Sequence, residues 1–121
     1  MSYVDGFLIP VKAADQQAFL AHARKVNRFF LELGALRVVE CWGDDVPHGK
    51  VTDFHRAVQA GPDETVAFSW IEWPDRATRD AAMAKLRDDP VMMAEPMPFD
   101  GKRMIFGGFA PIYDEAGSAA R

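Results

Sequence analysis

The sequence predicts an α+β domain with four strands and two main helices. Three observations carry this reading. Extended apolar runs recur at 3–11, 35–42, 65–73 and 101–112. Stretches of helical periodicity at 15–33 and 75–88 fall after the first and the third of them. Turn residues mark the junctions, as in Gly43-Asp44-Asp45 and Gly61-Pro62-Asp63. The order β-α-β-β-α-β is that of the split-βαβ, ferredoxin-like unit, a four-stranded antiparallel sheet with both helices on one face.

The first strand, 3–11, alternates so that Asp5, Phe7 and Ile9 share one face and Val4 and Leu8 the other. Pro10 lacks a ladder donor and predicts a strand end or an edge. In the first helix, Phe19, Ala23, Val26, Phe30 and Leu33 form an apolar stripe, and Gly34 stands where a left-handed terminating residue belongs. The second strand ends at Trp42 and leads into an insertion, 43–61, where either Thr52 caps a short helix over 53–60 or the segment extends a strand. The third strand runs to Trp73. Pro74 and Asp75 then open the second helix, with Asp75 as its cap and Ala77, Ala81, Ala84 and Leu86 facing inward. Residues 91–97 are rich in Met and predict one further helical turn. In the last strand Gly107-Gly108 predicts a bulge or a close backbone approach. The tail, 115–121, is small, polar and expected to fray. The whole chain, 1–121, reads as a single domain.

If the strand faces combine as their alternation suggests, Phe7, Ile9, Val38, Trp42, Phe68 and Trp70 lie together on the sheet face away from the helices. So much apolar surface needs a cover, either a long insertion or a second copy, and a two-fold pair packed sheet against sheet is the economical answer. A homodimer is therefore expected.

Composition bounds the rest. A chain of 121 residues buries roughly two thirds of its unfolded surface. Nine Phe, six Met and three Trp supply bulky core material. Fourteen Lys and Arg against eighteen Asp and Glu give a net charge of −4, which argues against a nucleic-acid partner. One cysteine rules out an internal disulfide framework and a multi-Cys zinc site. No apolar run reaches the ~18 residues of a membrane span, and the N-terminus lacks a signal-peptide pattern. A cytoplasmic protein with no membrane partner is the expectation. Phosphate-loop, dinucleotide and helical zinc motifs are absent from the sequence, so no cofactor is expected.

Several runs are more specific than the fold. They are Gly34 to Pro47 (GALRVVECWGDDVP), Gly49 to Phe54, Phe68 to Pro74 (FSWIEWP) and Met97 to Ile105 (MPFDGKRMI), with the opening Tyr3-Val4-Asp5-Gly6-Phe7. Together they closely resemble the domain-of-unknown-function 1428 family of bacterial proteins, over roughly Ser2 to Tyr113. The resemblance implies the dimeric α+β barrel superfamily, in which two ferredoxin-like units pack their sheets into a barrel. That superfamily includes antibiotic-biosynthesis monooxygenases, haem-degrading enzymes, muconolactone isomerases and ligand-binding regulators. The Asn, Trp and His set of the haem-degrading members has no match here, so no catalytic residue is carried over, and fold alone does not assign chemistry.

The candidate catalytic residues are Glu40 and Glu72, acids inside strands that share their faces with Val38 and Trp42 and with Phe68 and Trp70 respectively. A carboxyl group held among aromatics acquires a raised pKa suited to proton transfer. The competing reading places these acids and Asp5 at strand ends, paired with Arg37, Lys102 or Arg103. Asp5, Trp42, Trp70, His55 and Arg56 are the candidate ligand-binding residues, the tryptophans as a wall for a flat organic molecule and His55-Arg56 at a pocket mouth. Cys41 reads as an inert thiol. Asp53, His55 and His48 match no standard ligand spacing, and no metal is expected. The 91–97 segment and the 43–61 insertion are candidate lids. Two functions fit: cofactor-independent monooxygenase- or isomerase-like chemistry on a small organic compound, or a non-catalytic ligand-binding or stress-response module whose barrel face serves only dimerisation.

Overall fold

The computed structural model describes residues 2–120. Strands β1 (Tyr3–Lys12), β2 (Arg37–Trp42), β3 (Glu64–Trp73) and β4 (Ile105–Phe109) form one sheet in the order β2-β3-β1-β4, with all pairs antiparallel. Helix α1 (Gln16–Glu32) follows β1, and α3 (Arg76–Arg87) and the short α4 (Pro90–Met93) follow β3. The short α2 (Phe54–Ala57) lies in the insertion between β2 and β3. This is the expected ferredoxin-like α+β architecture.

Helix α1 packs through Phe19, Ala23 and Phe30 onto Ile9, Ile71 and Trp73 of the sheet. It ends as the sequence predicts. Gly34 takes φ +109°, its N–H bonds the Leu31 carbonyl at 3.3 Å, and the Ala35 N–H bonds that of Phe30 at 3.1 Å. These are the two bonds of a Schellman motif. Asp75 caps α3 by accepting the Thr78 N–H at 2.7 Å.

Three expectations are corrected. The cap of α2 is Asp53, which accepts the Arg56 N–H, and not Thr52; the helix is a single turn. In α3 the buried side is Ala82 with Met83 and Leu86, while Ala77 and Ala81 are exposed, because the polar Arg79 occupies the inward stripe. Pro10 lies inside β1, a central strand. Its partner Val66 directs its carbonyl to the Gly43 N–H of the neighbouring chain segment, so the Pro10 nitrogen faces the other side, where pairing with β4 has stopped at Leu8–Ile105. The pair Gly107-Gly108 makes no bulge, since Gly6–Gly107 and Asp5–Gly108 stay in register. It answers the close-approach alternative: a Cβ at Gly108 would collide with the Tyr3 hydroxyl and the Arg79 guanidinium.

The largest correction concerns the sheet faces. Register sets Phe7 beside Ser69 and Ser69 beside Glu40, so the helix-covered face carries Asp5, Phe7, Ile9, Val38, Glu40, Trp42, Ser69 and Ile71. The opposite face carries Val4, Leu8, Phe68, Trp70 and Glu72. Of the six apolar residues expected on the open face, only Phe68 and Trp70 are there. Alternation within each strand holds; the offset between strands does not follow from alternation. The insertion covers one end of the open face, where Val58 buries Leu8 and Val66. Phe68, Ile105 and Phe109 remain about half exposed or more.

Arg103 ties the strand ends together. Its guanidinium donates to Glu64 at 2.7 and 2.8 Å, to Asp100 at 2.9 Å and to the Gln59 carbonyl at 2.8 Å. Those bonds from Arg103, with the Gly61 N–H, hold the Glu64 carboxyl down to about 2 from an ordinary 4.5. A depressed acid pKa stabilises the fold above about 4.5, and that contribution is lost as pH falls toward about 2. The variant Arg103→Met is therefore expected to flatten the fall of the urea midpoint across this window. An unchanged acid limb would show that the pair contributes nothing.

Candidate functional site

A cavity of about 410 Å³ lies between α1 and the helix-covered face of the sheet. Phe7, Ile9, Val26, Phe30 and Val38 supply apolar wall, and Met92, Met93, Met97 and Met104 line it as well. Met92, Met93 and Met97 come from the 91–97 segment, the candidate lid.

Glu40 is the acid inside this apolar space. Strand β2 directs it toward α1, where Asn27 Nδ2–H donates to Oε2 at 2.8 Å. Ser69, buried, stands directly opposite in β3. Oε1 is buried with no hydrogen-bond partner. Burial raises the Glu40 pKa above its ordinary value, and the neighbouring Asn27 and Ser69 side chains oppose that only in part. His22 lines the same cavity with its edge against Phe99, ring centroids 5.7 Å apart, and its Nδ1 is likewise buried without a partner. Burial lowers the His22 pKa, against the opposing pull of Glu95 and the Pro96 carbonyl. Glu95 also lines the cavity and is held by Lys25 at 3.1 Å. The arrangement is two polar atoms with free hydrogen-bonding capacity inside a mostly apolar chamber.

The other sequence candidates disperse. Glu72 lies on the open face, where its Oε2 accepts the Trp70 indole N–H at 2.8 Å and sits 3.5 Å from Arg37. The pairing with Arg37 is the one the competing reading names. Glu40 and Glu72 therefore occupy opposite faces and do not form a carboxylate pair. Asp5 is buried and bound to Arg79 at 2.9 Å and to the Trp73 indole at 2.9 Å, so its acceptors are committed to structure. Trp42 packs on Phe19 with centroids 5.8 Å apart and does not line the cavity. Trp70 borders both the cavity and the hollow of the open face. His55 and Arg56 belong to α2, outside the lining of either. Cys41, half-buried, sits opposite Phe68 in the ladder.

His22, Asn27, Ser69 and Arg79 were not among the candidates. A signal for two of them was present: His22 and Asn27 interrupt the inward stripe of α1, between Phe19, Ala23, Val26 and Phe30. Polar residues at core-facing helical positions mark a site or a buried network.

Sheet order and helix placement together define a ferredoxin-like α+β protein. The solved structure of a dimeric ferredoxin-like protein from an uncultured marine organism superposes with a TM-score of 0.60 at 12% identity, covering 94% of this chain and 98% of that one. The family described as "Protein of unknown function (DUF1428)" matches residues 2–101. Uncharacterized protein YbaA of Escherichia coli strain K12 is 56% identical over 117 residues, covering 95% of this chain and all of the relative; YbaA of Shigella flexneri is equally similar. The chain belongs to the DUF1428 family.

Proposed function

We propose that each chain binds a small, flat, mainly apolar organic molecule carrying one hydroxyl or enolisable group in the cavity beneath α1. Glu40 accepts the hydrogen bond from that group and takes its proton, either returning it to another atom of the same molecule in a cofactor-independent isomerase-type step or leaving an anion that dioxygen oxidises in a monooxygenase-type one, with one oxygen atom entering the product and the other leaving as water. The observation that carries this reading is Glu40 itself: Oε2 is fixed by Asn27 while Oε1 has no partner in an apolar chamber. A buried acceptor left unsatisfied costs about 1–3 kcal/mol, which a ligand hydroxyl recovers. A cavity of about 410 Å³ suits a one- or two-ring compound. The methionines adapt to its outline, and the 91–97 segment serves as the lid.

The same reading makes the protein a cytoplasmic homodimer joined through the open sheet face. Phe68, Ile105 and Phe109 stay exposed there after the insertion has covered Leu8 and Val66, and the structural neighbour is described as dimeric. Among the described residues no helix is long and apolar enough to cross a membrane. Phe7, Trp70 and Phe106 border both the cavity and the open-face hollow, but Glu40 lies on the helix side of the sheet, so dimerisation through the open face leaves its carboxylate uncovered. The apolar open face therefore does not favour a purely structural barrel.

An NMR titration with 2-naphthol and with naphthalene tests the pocket. 2-Naphthol is expected to bind about 10- to 100-fold more tightly, the worth of a hydrogen bond to a charged acceptor. Amides of Ala23, Val26 and Phe30 should shift, and Glu40→Leu should erase the difference between the two compounds. Equal affinities in the unmodified protein, or shifts confined to the open face, would contradict the reading.

A further inference from the structure

We propose a second site, on the insertion: a divalent transition-metal site formed by His48, Asp53 and His55. None of the three lines the cavity beneath α1. The loop before α2 and its first turn fold these residues together, although their spacing matches no common ligand pattern. One potential ligand atom from each lies within 4.8 Å of the others. The Asp53 carboxylate is already fixed: Oδ1 accepts the Arg56 N–H at 2.7 Å and Oδ2 the Gly49 N–H at 3.0 Å, with the side chain only 3% exposed. Each carboxylate oxygen retains a second lone pair. His48 Nδ1 stands 3.7 Å from Oδ2, and the His48 and His55 rings lie face to face with centroids 4.4 Å apart. His55 Nδ1 is buried without a hydrogen-bond partner.

Two imidazoles and one carboxylate select zinc, nickel or copper over calcium or magnesium, which prefer all-oxygen shells. Three protein ligands leave one position of a tetrahedral ion for water. Stacked rings direct their lone pairs nearly parallel, so metal entry requires one ring to turn. His48, 77% exposed, is free to do so. The Arg56 guanidinium, 3.6 Å from Asp53 Oδ2, is the competing cation, and its bond to the Lys50 carbonyl at 3.1 Å gives it an alternative anchor. Phe54, between two of the ligands, packs edge-on against Phe68 at 6.3 Å. A bound ion would thus pin the insertion at the rim of the open face.

The test is calorimetric titration of the chelator-treated full chain with zinc chloride at neutral pH, supported by visible absorption with cobalt. One equivalent of zinc per chain is expected, with tetrahedral cobalt bands. His48→Ala and His55→Ala should each weaken zinc binding by about 100-fold or more, since losing even an outer partner of a metal ligand costs about 10- to 100-fold. Asp53→Asn, which preserves the helix cap, should also weaken it, whereas His22→Ala in the cavity should not. His48 is so exposed that its variant keeps the fold, which leaves the test interpretable if His55→Ala does not fold. Absence of saturable binding, or undiminished binding in His48→Ala, would overturn the site.

Discussion

Replacing Asp5 by alanine is expected to destabilise the protein by about 3–5 kcal/mol, the cost of removing one partner from a buried ion pair. Asp5 is 3% exposed in the central strand β1. Its carboxylate accepts Arg79 Nε at 3.1 Å, Arg79 Nη2 at 2.9 Å and the Trp73 indole N–H at 2.9 Å. Those bonds push the Arg79 pKa further above its ordinary value. Alanine would leave the indole N–H of a fully buried tryptophan without a partner and Arg79 facing an apolar gap. Asp80, which accepts Arg79 Nη1 at 2.9 Å, retains part of the guanidinium's pairing and places the loss toward the lower end of the range. Asp5→Asn should fall between, since its amide oxygen still accepts the indole proton. Urea unfolding measures both. A loss below about 1 kcal/mol for Asp5→Ala, the worth of an exposed pair, would mean that the pair is not buried in solution.

If the chain forms the proposed homodimer, Phe68→Asp is expected to convert it to a monomer without unfolding the chain. Phe68 is 47% exposed at the middle of β3, between Leu8 and Cys41 in the ladder and against Trp70 at 5.9 Å. In a two-fold pair packed through this face, the substitution buries two uncompensated carboxylates, which costs far more than the lost apolar contact. Light scattering should give a molar mass near the 13.5 kDa of one chain, against twice that for the unmodified protein. Far-ultraviolet circular dichroism should be unchanged. A monomeric unmodified protein, or a dimer that survives the substitution, would remove the barrel assembly from the account while leaving the cavity untouched.

Much of the fold was legible in the sequence, for local reasons. Gly34 and Asp75 end and begin helices because their backbone and capping chemistry acts within a few residues. Alternation within strands correctly grouped Asp5 with Phe7 and Glu40 with Val38. What alternation does not contain is the offset between strands. Glu40 stands opposite Ser69 and not Trp70, and that one-residue difference sends Glu40 into the cavity and Glu72 to the open face. Arg79 was illegible for a related reason. An arginine on a helix reads as solvated until its partner is known, and Asp5 lies 74 residues away. His22 and Asn27, polar residues within the apolar stripe of α1, are the part of the site that the sequence makes legible. His48, Asp53 and His55 required the insertion's turn to bring them together.

The central claim is that Glu40 is the polar anchor of a ligand-binding cavity. A crystal structure of the protein soaked with 2-naphthol tests it most directly. The ring system is expected between α1 and the sheet, against the methionines of the 91–97 segment, with its hydroxyl at hydrogen-bond distance from Glu40 Oε1. A ring bound on the open face beside Trp70, or seated in the cavity with its hydroxyl directed away from Glu40, would contradict it.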